Sequence, residues 1–82
     1  MRIQILDAAE QDLIDGFNFY NSREVGLGDY FLDSLFSDID SLYLYARIHL
    51  IQFTFYRMLS NRFPYAIFYK LENDIVKVLG NT

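Results

Sequence analysis

From Arg62 to Lys70 the chain reads Arg-Phe-Pro-Tyr-Ala-Ile-Phe-Tyr-Lys, an aromatic and β-branched run that contains the single proline. This run limits the possible folds more than any other stretch. Aromatic and β-branched side chains suit a pleated, half-buried surface, and Pro64 stands at the start, where its missing N–H costs a ladder least. A strand over 63–71 puts Tyr65, Ile67 and Tyr69 on one face and Ala66, Phe68 and Lys70 on the other. Glu72-Asn73-Asp74 then reads as a hairpin loop, and 75–79 as the last strand.

Upstream the period changes. A short strand over Arg2 to Leu6 ends at Asp7, and Asp7-Ala8-Ala9-Glu10 has the spacing of an N-cap with a capping-box partner. Ala9, Leu13, Gly16, Phe17 and Tyr20 recur at helical spacing, which predicts a helix over about 8–21. Gly26 and Gly28 supply a turn. A second helix over about 28–46 carries Phe31, Leu32, Leu35, Phe36, Ile39, Leu42 and Tyr43 on one stripe, with Asp33, Ser34, Asp38, Asp40 and Ser41 largely opposite. Ile51, Phe53 and Phe55 alternate with Gln52 and Thr54, which suggests a strand running on to Leu59 before a turn at Ser60-Asn61. The order is β-α-α-β-β-β. Helices followed by strands imply an α+β class, an N-terminal strand and αα-hairpin packed on an antiparallel β-sheet. Phe17, Phe31, Leu35, Ile39 and Ile67 are the expected core.

With 82 residues there is room for one domain, spanning 1–82, and a domain of that size is marginally stable alone. At 52% apolar and 18% aromatic the chain has ample core material, which argues against disorder. Eight phenylalanines and seven tyrosines exceed what one short core hides, which points to a homodimer or a bound partner. No cysteine is present, so disulfides and thiolate metal sites are ruled out and a reducing cytoplasm fits. The start lacks the long apolar core of a secretory peptide, and Arg47, His49 and Gln52 interrupt the apolar stretches too early for a membrane span.

The net charge of −4 is unevenly spread. Residues 1–46 hold two basic and nine acidic side chains, whereas 47–82 hold five basic and two acidic. The C-terminal half can face a polyanion or an acidic partner; alternatively, the acidic residues simply coat the outer helical faces. An overall acidic chain counts against a nucleic-acid enzyme.

The Arg62–Lys70 run resembles the RFPY-x-IFY strand of the RelE/ParE superfamily of bacterial toxins. The similarity extends through Ala8-Ala9-Glu10-Gln11-Asp12-Leu13 with Phe19-Tyr20, Gly26-Leu27-Gly28 with Phe31-Leu32, and Tyr56-Arg57 with Leu59. The resemblance implies a toxin of a type II toxin-antitoxin (plasmid stabilization) system, acting by ribosome-dependent mRNA cleavage or by inhibiting DNA gyrase, and neutralised by a cognate antitoxin. Departures favour the ParE-like branch. The mRNA-cleaving branch has a basic residue where this chain has Ala66, many relatives have a second Arg where it has Met58, and the sequence closes on Gly80-Asn81-Thr82 without the usual C-terminal His or Arg cluster and closing aromatic.

Candidate contacts with a target or antitoxin follow from residue chemistry. Arg57, Arg62 and Lys70 come from adjacent predicted strands and can converge on a phosphate or carboxylate, or else serve solubility and edge protection. Tyr65 and Tyr69, with Tyr56, can stack on bases or donate protons, or else sit in the core with one wet end. His49, the only histidine, is a candidate acid or base near the sheet edge or an ordinary polar residue there. One His and scattered carboxylates do not make a metal site, and no cofactor motif is present. Three functions remain: a ParE-like toxin that acts by binding, a non-toxic antitoxin-binding or self-associating module, and a ribosome-dependent mRNA interferase.

Overall fold

The computed structural model describes residues 1–46, 50–52 and 55–81. Its elements are β1 (Arg2–Ile5), α1 (Asp7–Arg23), α2 (Leu27–Asp40), the single turn α3 (Leu42–Tyr45), β2 (Leu50–Gln52), β3 (Phe55–Leu59), β4 (Ala66–Glu72) and β5 (Ile75–Asn81). The strands form one sheet in the order β1-β5-β4-β3-β2. All pairings are antiparallel except β1 with β5, which is parallel. The expected antiparallel sheet is present, extended at one edge by the parallel β1. The helical hairpin separates β1 from the other strands, so the first strand can enter at the far edge running alongside the last.

Strand passes directly into helix at Leu6. Its N–H donates to Val78 O at 3.0 Å, continuing the ladder, while its carbonyl accepts from Glu10 N at 2.9 Å. Leu6 thus occupies the N-cap with no side-chain cap, and Asp7 is already helical. The expected capping box is absent. Asp7 and Glu10 still lie in the first turn and Arg23 in the last, charges that complement the helix dipole.

Gly26 links the helices with φ +93°, a left-handed conformation that side chains disfavour. Asn21 Oδ1 accepts its N–H at 3.0 Å. The predicted helix over 28–46 is broken after Asp40, where Ser41 Oγ donates to Asp38 O and competes with the helical ladder.

The predicted single strand through 51–59 is instead two strands, paired antiparallel with Ile51 opposite Tyr56. Phe53, expected in that strand, lies outside the described residues. The predicted strand over 63–71 begins only at Ala66. Pro64 has no N–H to give, Tyr65 N bonds Phe63 O at 2.7 Å, and Ser60 N closes on Tyr65 O at 2.9 Å. Released from the sheet, Phe63 packs edge-on to Tyr20 and Phe31, with ring centroids 4.9 and 5.2 Å away. Between β4 and β5 the turn has two residues, Asn73 and Asp74, with φ +50° and +61°. These types tolerate the left-handed conformation that a tight hairpin requires.

Both long helices cover one face of the sheet. Phe31, Leu35, Ile39 and Leu42 from α2 and Ala9 and Leu13 from α1 meet Met58, Ile67, Tyr69, Val76 and Val78 in one core. Four of the five expected core residues are buried; Phe17 is only half-buried, because it turns toward the outer groove between α1 and α2. Ser34 and Asp38, expected on the solvent side of α2, are buried instead.

Candidate functional site

Strand alternation decides which side chains the open face of the sheet receives. Arg57 is opposite Phe68, Lys70 opposite Lys77, Glu72 opposite Ile75, and Gln4 beside Lys77. Because Ile67, Tyr69, Val76 and Val78 point into the core, these partners point away from it. Arg2, Arg57, Lys70 and Lys77 therefore share one surface with Phe68 and the exposed Leu59. Glu72 is the one described acidic side chain among them. Its carboxylate lies 2.8 Å from Lys77 Nζ and 3.5 Å from Lys70 Nζ. A hydrogen bond from Lys77, with the charges of both lysines, holds the Glu72 carboxyl below its usual range.

Among the sequence candidates, Arg57 and Lys70 come together here. Arg62 lies exposed in the 61–64 bend connecting β3 to β4. The bend is tied down by Asp38, which accepts hydrogen bonds from Ser60 Oγ at 2.6 Å, Asn61 N at 3.3 Å and Asn61 Nδ2 at 2.9 Å. His49 lies outside the described residues.

The two tyrosines turn inward. Tyr69 is fully buried, stacks on Tyr56 at 5.1 Å and donates its hydroxyl to Ala46 O, so the structure removes it from the candidate contacts. Burial drives its phenol pKa upward. Tyr65 is half-buried and donates to Asp12 O at 2.9 Å, bracing the start of β4 against α1. Its pKa is pushed up to about 12, by burial first and then by Asp12 and Asp15.

Arg2, Lys77 and Glu72 were missed from sequence. One signal was available for Lys77: a two-residue loop at Asn73-Asp74 makes Lys70 and Lys77 opposite partners, whereas a loop including Glu72 obscures that register. Ala66, also on the open face by alternation, pairs with Leu59 and supplies no charge. The described surface therefore offers ammonium and guanidinium donors around apolar contacts, a combination that binds anionic groups carried on an apolar partner.

A second surface lies on the opposite side of the molecule. Leu13, Ile14, Phe17, Leu32 and Phe36 line a groove between α1 and α2, with Glu10 and Asp29 beside it. Ile14 and Phe36 are each more than two-fifths exposed. No helix among the described residues is long and apolar enough to cross a membrane.

No protein-family model and no curated protein matches the chain. Among solved structures, a chain of the chromosomal ParDE TA system from P. aeruginosa superposes with a TM-score of 0.83 at 12% identity, covering 99% of this chain and 92% of that one. The correspondence runs nearly end to end, and what it establishes at this identity is architecture: the chain shares the fold of that chain of the ParDE system.

Proposed function

We propose that this chain is the toxin component of a type II toxin-antitoxin pair of the ParE-like kind, acting by binding a cellular target in the cytoplasm, with DNA gyrase as the candidate, and neutralised by a cognate antitoxin. The observation that carries this reading is the near-complete superposition on a chain of a ParDE system. The open face supports binding as the mode of action. Its described charged groups are Arg2, Arg57, Lys70 and Lys77 with an ion-paired Glu72, and Ala66 stands where the cleaving branch has a cation. Binding substrate and transition state equally produces no chemical acceleration.

Inducible expression in a bacterial host is the test. Growth arrest, relief by the product of a neighbouring small reading frame, and loss of gyrase supercoiling by the purified chain are the expected results. Arrest with intact supercoiling and cleaved ribosome-bound message would replace this reading with the mRNA interferase. The groove holding Ile14 and Phe36 favours a second reading, a non-toxic antitoxin-binding or self-associating module. Normal growth together with a stable complex or homodimer selects it.

A further inference from the structure

Lys70 and Lys77 are direct cross-strand partners on the open face. Like charges in that position destabilise a sheet. The chain answers with Glu72, two residues along β4 and on the same face, whose carboxylate reaches both ammonium groups. Lys70, Lys77 and Glu72 keep 36%, 30% and 44% of their side-chain surface exposed, so solvent or a partner can reach all three. We propose that Lys70 and Lys77 form a carboxylate-binding subsite for an acidic, amphipathic peptide segment, and that Glu72 fills this subsite as an internal, displaceable anion while the partner is absent.

The proposal rests on the binding reading above and specifies the chemistry of its partner. Four cations against one carboxylate leave the described open face positive, whereas the helical half of the chain is strongly acidic. An incoming carboxylate that displaces Glu72 replaces one ion pair with another, so charge alone gives little net gain. The gain comes from apolar neighbours: Phe68, which faces Arg57 across the strands, precedes Lys70 by two residues on β4, and Leu59 is 61% exposed on β3. A segment alternating carboxylates with apolar side chains matches that pattern. A nucleic acid matches it less well, because its continuous phosphate charge meets an acidic molecule and an aliphatic Leu59.

The experiment titrates the purified full chain with a fluorescein-labelled peptide in which Glu alternates with Leu and Ser. Glu72→Gln should bind about two- to fivefold more tightly at low salt, the range for one exposed ion pair. The gain should vanish in Glu72→Gln/Lys70→Gln/Lys77→Gln, and also near 1 M salt, where screening acts within about 3 Å. Peptide addition to the wild-type chain should shift the NMR signals of the Lys70 and Lys77 side chains. Unchanged or weaker binding by Glu72→Gln overturns the proposal. So does equal binding of a control peptide with Gln in place of Glu, or tighter binding of a single-stranded RNA of equal charge. A chain harmless to cells that still shows the Glu72→Gln gain loses the toxin reading and retains this one; a toxic chain without the gain does the reverse.

Discussion

Asp38 is 5% exposed near the C-terminal end of α2, and its partners Ser60 and Asn61 lie 22 and 23 residues further along the chain. A buried carboxylate is stable only when its oxygens are hydrogen-bonded, and removing the acceptor also strands its donors. Asp38→Ala should lower the unfolding free energy by about 2–4 kcal/mol in urea titrations. The exposed neighbour Asp40→Ala should change it by less than about 0.5 kcal/mol. Helical periodicity placed Asp38 on the solvent side, because local spacing carries no information about donors arriving from a distant loop. Tyr65 gives a pH-dependent case. Its folded-state pKa rises from 10.0 to about 12, so folding favours the neutral phenol. The stabilisation is complete below pH 10 and is lost as pH rises from 10 to 12. Thermal melts across that window should fall more steeply for the wild type than for Tyr65→Phe, and identical slopes would show that another group controls the alkaline transition.

At the level of elements, α1 and α2 approach closely because Gly16 faces Phe31. A Cβ at position 16 would lie 2.5 Å from Phe31 Cζ and 2.6 Å from Cε2. Phe31 has no room to retreat: it is fully buried and in ring contact with Tyr20, Phe63 and Tyr65. Alanine is favoured over glycine in a helix interior by about 1 kcal/mol, but overpacking a close-packed core costs about 1–3 kcal/mol. Gly16→Ala should therefore destabilise the protein by up to about 2 kcal/mol and lower its melting temperature, where propensity alone predicts a rise. The apolar stripe of α1 was legible in sequence, including the place of Gly16 on it. The break at Ser41 was not, since a serine hydroxyl can cap, face solvent or bond back to its own helix, and here it takes the last course.

Over the whole molecule, the sheet has one covered face and one that no described helix covers, and the cations gather on the second. A ribonuclease needs a positioned acid-base pair, each group contributing a factor of about a hundred to ten thousand. On the binding reading proposed above, mixing the purified chain with translating ribosomes should yield no codon-specific message ends. Cuts that disappear in Arg57→Ala or Arg62→Ala would establish catalysis and overturn the binding reading. Period-2 and period-3.6 patterns specified most elements from sequence alone, together with the α+β class and four of the five named core residues, because each pattern is a relation between residues a few positions apart. Tertiary structure alone decided the parallel union of β1 with β5, the burial of Asp38, and the meeting of Arg2 with Lys70, Lys77 and Arg57 on one face. Each of these depends on which distant segment becomes a neighbour, and that choice is settled by burying the apolar faces of all the elements together rather than by any one stretch of chain.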